Sequence, residues 1–249
     1  MESLNFDSLT IVLVAIALGA YLKGAIGLGL PLIAVPTMAN FLGVEHAIVV
    51  LTIPVVASNI WICLRYRKIR YEVPFLKISL FFAGLGVLCG TTLLAFLSDS
   101  ALITLLIVWL GLYLFTITIK PDFKLTDGVA RFLAPLFAMA GGTCQGATGI
   151  AGPIIATWIH AYRLEKKTYV FAVSILFLII SGTHVLAVGS FGLYTQERLI
   201  QGVLALIPTI LFTQIGMWTT PYISPKWFNR AVIGVIFAMW IKLIFKAYL

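Results

Sequence analysis

The chain has 249 residues, of which 61% are apolar and only 10% charged. A soluble domain is about half apolar and about a quarter charged. This composition therefore excludes a soluble enzyme, a disordered chain and a nucleic-acid reader, and leaves a polytopic helical membrane protein. The net charge of +8 does not point to nucleic acid, because most basic residues sit between apolar runs, where membrane-topology charges sit.

The stretch from Met1 to Asp7 is acidic and has no Lys or Arg, so it lacks the basic region of a cleaved signal peptide. Apolar runs follow at 9–22, 29–42, 46–63, 74–96, 101–119, 132–144, 151–162, 169–188, 199–220 and 229–247. All but the first, second, sixth and seventh can cross a hydrocarbon core of about 30 Å as helices. The first would make only about 21 Å of helix. It runs into Lys23-Gly24-Ala25-Ile26-Gly27-Leu28-Gly29, whose glycines weaken helix. The sixth run ends the same way, in Gly141-Gly142 and then Gln145-Gly146-Ala147-Thr148-Gly149. Cys63, Cys89 and Cys144 form no CxxC and read as small apolar fillers, not as a disulfide framework or zinc site.

The two glycine-rich stretches are copies. A shift of 122 residues lays Gly24, Ala25, Gly27, Pro31, Ile33 and Ala34 on Gly146, Ala147, Gly149, Pro153, Ile155 and Ala156. The same shift pairs Thr52 with Ser174 and Asn59 with Ser181; with a drift of four residues, Gly90 meets Gly216 and Leu97-Ser98 meets Ile223-Ser224. The chain therefore divides into a first repeat over 1–119, a cytoplasmic linker over 120–131 and a second repeat over 132–249, within a single membrane domain.

Basic residues decide the orientation of the repeats. Let each glycine-interrupted pair be a re-entrant hairpin, so that each half crosses three times. Loops 64–77, 120–131, 161–168 and 221–230 then lie inside with 13 of the 17 basic residues, and three lie outside. If each pair instead spans once, the tally is 11 against five, with Arg163, Lys166 and Lys167 misplaced. The expected fold is thus an all-α polytopic membrane protein of two inverted homologous repeats, each a re-entrant helical hairpin plus three transmembrane helices.

Broken helices at matching places in two inverted halves point to a transporter's central site. Pro31 and Pro153 stand where second half-helices begin, a favoured place for proline. The N–H groups of those first turns suit an anion. The expected substrate-binding residues are Lys23, Gly24, Gly27, Gly29, Pro31, Gln145, Gly146, Thr148, Gly149, Gly152 and Pro153, with the substrate between the two tips. The alternative is that the glycines only permit close helix packing.

Lys23 is the single Lys or Arg deep in an apolar stretch, and no Asp or Glu falls inside any run. A substrate anion is its expected partner; the alternative is that it reaches a membrane face or backbone carbonyls at the tip. Its twin, Gln145, is neutral. Thr52, Asn59, Ser174, Ser181 and His184 are the flanking polar residues on neighbouring helices. Ordinary helix–helix hydrogen bonding is the competing role for each, and a lone His is more often a structural donor than a proton relay. Gly189-Ser190-Phe191-Gly192 reads GSxG and not the GxSG of an intramembrane serine protease. No HExxH or Walker motif occurs. No catalytic residue, metal ligand or cofactor is expected.

The run Gly24-Ala25-Ile26-Gly27-Leu28-Gly29-Leu30-Pro31-Leu32-Ile33-Ala34-Val35-Pro36 and its copy Gly146-Ala147-Thr148-Gly149-Ile150-Ala151-Gly152-Pro153 resemble the glycine-rich signature of the sulfite exporter TauE/SafE family, also called the toluene sulfonate uptake permease family. Thr52, Ser174, His184 and the Gly84-Leu85-Gly86…Gly90 and Gly216 segments resemble its further features. The chain departs from the usual run of three glycines, reading Leu28-Gly29-Leu30 and Ile150-Ala151-Gly152, and Lys23 stands where many members carry a small residue. The resemblance implies a multi-pass permease of the bacterial inner membrane for small sulfur-containing anions such as sulfite or sulfonates. The expected function is secondary transport by alternating access. A passive anion channel is the main alternative, and a membrane-embedded enzyme lacks any nucleophile–base or metal constellation. A small anion and the lipid bilayer are the expected partners and nucleic acid is not; a homodimer is left open.

Overall fold

The computed structural model describes residues 6–26, 29–65, 76–119, 127–160, 162, 164–219, 222 and 225–248. Their elements are all helical: α1 (Phe6–Ile26), α2 (Leu30–Leu42), α3 (Val44–Arg65), α4 (Leu76–Phe96), α5 (Asp99–Ile119), α6 (Asp127–Phe132), α7 (Ala134–Thr148), α8 (Gly152–His160), α9 (Lys166–Ser190), α10 (Gln196–Leu204), α11 (Leu206–Thr219) and α12 (Pro225–Tyr248). Helix is the element that satisfies its own backbone without water. Six segments are long and apolar enough to cross a membrane: Phe6–Ala25, Val44–Arg65, Ile78–Phe96, Asp99–Thr116, Thr168–Ser190 and Gln196–Thr219. Of the basic loops, residues 66–75 and 120–126 and most of 220–224 lie outside the described residues.

The first run departs from expectation. The helix does not stop near residue 22 but continues through Lys23 and Gly24 to Ile26, which gives about 31 Å. In the same way α7 continues through Gly141, Gly142 and Gly146 to Thr148. Glycine's low helix propensity is overridden here by packing, because the missing Cβ atoms are what admit a neighbouring backbone. A further difference is that the ninth run is two helices, α10 and α11, divided at Ala205.

The chain forms two compact units. One comprises Met1–Pro54, Leu97–Pro121 and Tyr194–Leu249, the other Val55–Phe96 and Asp122–Leu193. In the first unit α1 packs on α2 and α11, and α12 packs on α2 and α5. Trp240 Nε1 donates to the Ile107 carbonyl at 2.8 Å and Lys246 Nζ to the Ala39 carbonyl at 2.8 Å, so α12 is tied to both neighbours. In the second unit α4 packs on α7 and α9, and α8 packs on α7 and α9.

Glycines set the closest contacts in both units. In the first, a Cβ on Gly216 would fall on the Tyr21 carbonyl oxygen and 2.9 Å from the Ala25 nitrogen; a Cβ on Gly24 would fall on the Thr213 carbonyl oxygen and 3.0 Å from the Met217 nitrogen. In the second, a Cβ on Gly90 would fall on the Thr143 carbonyl oxygen and 2.8 Å from the Ala147 nitrogen; a Cβ on Gly146 would fall on the Val87 carbonyl oxygen and 2.6 Å from the Thr91 nitrogen. These are the same contacts at positions 122 residues apart on α1 and α7 and 126 apart on α11 and α4. Gly86 and Gly142 extend the α4–α7 seam by one turn, against Met139 and Ala83, the small-xxx-small spacing of close membrane helix pairs.

Because backbone cannot yield as a side chain can, Gly90→Val and Gly216→Val are each expected to destabilise the protein by about 3 kcal/mol or more. At Gly182, on α9, an added Cβ would meet no atom within 4 Å, so Gly182→Ala should leave stability unchanged or raise it by up to about 1 kcal/mol through helix propensity. Thermal melting of the detergent-solubilised variants checks the contrast.

Candidate functional site: two interrupted helices and their polar surroundings

The first interruption separates α1 from α2. Gly29 precedes α2 with φ 107°, and Pro31 occupies its first turn. Positive φ at this position favours glycine, and proline there gives up an N–H that has no helical partner. Gly27, also expected at the site, lies outside the described residues. Lys23 is buried in the last turn of α1, where a cation complements the negative helix end; it is engaged with its surroundings. Gly24 faces α11 as described above.

The second interruption separates α7 from α8. Gly149 ends α7 with φ 72°, and its N–H donates to the Gln145 carbonyl at 2.9 Å. The Thr148 hydroxyl donates to the Cys144 carbonyl at 2.7 Å and accepts from the Ile150 N–H at 3.3 Å. Gly152 and Pro153 open α8. Residues from Gln145 to Ala151 are buried, whereas Gly152 and Pro153, like Gly29 and Pro31 in the first unit, are half-buried. A Cβ on Gly152 would meet no atom within 4 Å, so the first turn of α8 borders open space.

The flanking polar residues differ in how they are satisfied. Thr52 donates to the Val49 carbonyl at 2.6 Å or pairs with the Tyr194 hydroxyl at 2.7 Å; burial pushes the Tyr194 phenol above its usual range and this bond opposes the shift. Ser181 donates to the Phe177 carbonyl at 2.5 Å. Ser174 Oγ and both ring nitrogens of His184 are buried without a hydrogen-bond partner, as is Gln145 Oε1. Asn59 is fully buried on α3. Lys23, Thr52 and the first interruption belong to the first unit, and Asn59, Ser174, Ser181, His184 and the second interruption to the other.

Sequence reasoning missed a polar network in the first unit. Gln201, fully buried, accepts from His46 Nε2 at 2.7 Å through its Oε1, and its Nε2 donates to Glu197 at 2.9 Å and to the Ser8 hydroxyl at 3.0 Å. Beside it Arg198 pairs with Glu45 at 2.6 Å, and Thr195 caps α10 by accepting from the Arg198 N–H. The network joins the starts of α1 and α3 to α10. The available signal was the polar cluster Thr195-Gln196-Glu197-Arg198 at the head of an apolar run.

Gln201→Leu removes the acceptor of His46 and the donor to Ser8, which keeps only its bond to Glu197, and is expected to cost about 2 kcal/mol. Arg198→Ala, which breaks a partly exposed pair, is expected to cost under about 1 kcal/mol. Denaturation midpoints of the two variants test the ranking.

The family description "Sulfite exporter TauE/SafE" matches residues 11–243. No curated protein and no solved structure matches the chain. The protein is a multi-pass membrane protein of a transporter family whose name implies a small sulfur anion as substrate. The chain belongs to the sulfite exporter TauE/SafE family.

Proposed function

We propose that the protein is a secondary transporter of the bacterial inner membrane, moving a small sulfur-containing anion such as sulfite or an organosulfonate by alternating access, with the anion held by the two glycine-rich hairpin tips. The observation that carries this reading is the helix interruption that occurs twice, each time with a half-buried proline in the first turn of the half-helix that follows. Each of these first turns offers N–H groups and roughly half a positive charge, which suits an anion of charge one or two. Lys23 adds a full charge near the first tip. Family membership supports sulfur oxyanions as the class.

One finding favours hairpins over single spans, and another favours homologous repeats. Ser8 and His46 share Gln201, which sets the start of α3 beside the start of α1. The recurrence of the Gly24–Gly216 contacts at Gly146–Gly90 favours two homologous repeats, 1–119 and 132–249, joined by 120–131. On this reading they are inverted, which the distribution of basic residues favours.

Gly152→Leu tests the site with little disturbance of the packing, because a Cβ at this position meets no atom within 4 Å. It is expected to fold with an unchanged melting temperature and to lose at least about tenfold in affinity for sulfite or methanesulfonate, a change of about 1.4 kcal/mol. Lys23→Gln should weaken anion binding more than it weakens folding. Unchanged affinity in both well-folded variants would place the substrate elsewhere.

A further inference from the structure

The second tip carries a buried histidine whose chemistry the transport reading leaves unused. His184 is 1% exposed and Gln145 2%. The His184 ring lies against the backbone of Gly146, the residue that follows Gln145, one turn before Gly149. Neither ring nitrogen makes a well-formed hydrogen bond, and the Gln145 oxygen has no donor. A histidine that serves only as a structural donor gives a ring N–H to a carbonyl or carboxylate; the approach of the His184 ring to the Gly146 backbone is the candidate for that bond, and it falls short of hydrogen-bond geometry. A buried amide oxygen without a donor, and a buried imidazole against the backbone of the next residue, leave polar capacity that a ligand can use.

An anion at the first turn of α8 supplies the missing partner. A lone anion and a lone imidazolium are each costly to bury, whereas an opposed and hydrogen-bonded pair is less so. Gln145 has an N–H group to give the anion and a carbonyl to receive an imidazolium N–H. The helices packed against α9 are α4, α7 and α8. Their described titratable side chains are Cys89, which is exposed, and Cys144, which is half-buried, and Tyr169 on α9 itself is half-buried. By sequence these helices also carry Lys77 in the first turn of α4, Lys166 and Lys167 in the first turn of α9 and His160 at the end of α8; Lys77 precedes Gly90 by 13 residues and Lys167 precedes His184 by 17, about 20 and 25 Å of helix, so the lysines stand at the far ends of their helices.

We propose that His184 takes up a proton as the anion binds, so that anion and proton cross the membrane together. The proton passes from water on the loading side to a ring nitrogen of His184 and is released to water on the other side with the anion. The proposal rests on the transporter reading and adds the coupling ion to it. For a monoanion the loaded site gains no net charge, so flux should depend on the pH gradient and little on the membrane potential.

The test uses the full-length protein in lipid vesicles with a trapped pH dye. Methanesulfonate is the probe, because it has no titratable group near neutral pH and any proton moved with it is carried by the protein. The wild type should acidify the vesicle interior as methanesulfonate enters, and His184→Gln should lose that signal. Methanesulfonate flux without proton movement in the wild type, or undiminished proton movement in His184→Gln, would overturn the proposal. If the variant does not fold, calorimetry of the wild type in buffers of different ionisation enthalpy counts the protons taken up on binding, and a count of zero overturns it. If only sulfite is moved, the wild type and His184→Gln are compared with sulfite, and equal proton movement overturns it. If the wild type neither binds nor moves methanesulfonate or sulfite, the transporter reading itself fails, which the dye distinguishes from transport without protons.

Discussion

Inside a bilayer no water is available to satisfy an N–H or C=O group, and every feature of this chain answers to that constraint. Continuous helix is the default. Where the helix stops inside the apolar sequence, after Ile26 and after Thr148, the exposed backbone must be held by something else. The local answers are visible at the second tip: the Gly149 N–H returns to Gln145 and the Ile150 N–H to the Thr148 hydroxyl. In the first turns of α2 and α8 Pro31 and Pro153 carry no N–H and the Leu32 and Ile155 N–H groups return to the Gly29 and Ala151 carbonyls, which leaves Leu30, Gly152 and Ile154 to offer theirs. These are the groups that an anion would take.

Lipid offers helices no hydrophobic gain for associating, so close contact has to come from shape. Glycine supplies it in each unit. Gly24 and Gly216 let α1 and α11 meet backbone to backbone, and Gly86, Gly90, Gly142 and Gly146 do the same for α4 and α7. The helix that leads into each interruption is thereby fixed along its last turns, so that a broken, intrinsically weak segment keeps a defined geometry. On the proposed reading, Gly24 and Gly146 would serve the site by fixing the helices that lead to it, while Gly29 and Gly149 adopt the positive φ of each interruption and a Cβ at Gly152 would meet no atom within 4 Å.

Much of this could be read from the residues. The helical membrane class followed from composition, and the places of Pro31 and Pro153 from the rule that proline opens helices. The end of α1 was misjudged because propensity is a local property, and the contact that lets Gly24 remain helical comes from Thr213, far along the chain. The network around Gln201 was invisible for the same reason: Ser8, His46 and Gln201 each look like ordinary polar residues at the edge of an apolar run, and only the fold joins them. The register drift that matched Gly90 to Gly216 was the one long-range signal in the sequence, since both are the partners of the glycines at the tips. His184 was legible as a buried titratable group, but whether its ring was bonded was not.

The central claim is that this protein carries its anion through a site open to one side at a time, and a counterflow measurement tests it most directly. Vesicles loaded with unlabelled sulfite are diluted into a trace of labelled sulfite. A carrier should accumulate label transiently above equilibrium, because each outward crossing of unlabelled anion returns the site to collect a labelled one. A steady rise to equilibrium with no overshoot, at fluxes above carrier rates, would contradict alternating access and make the protein a passive anion channel.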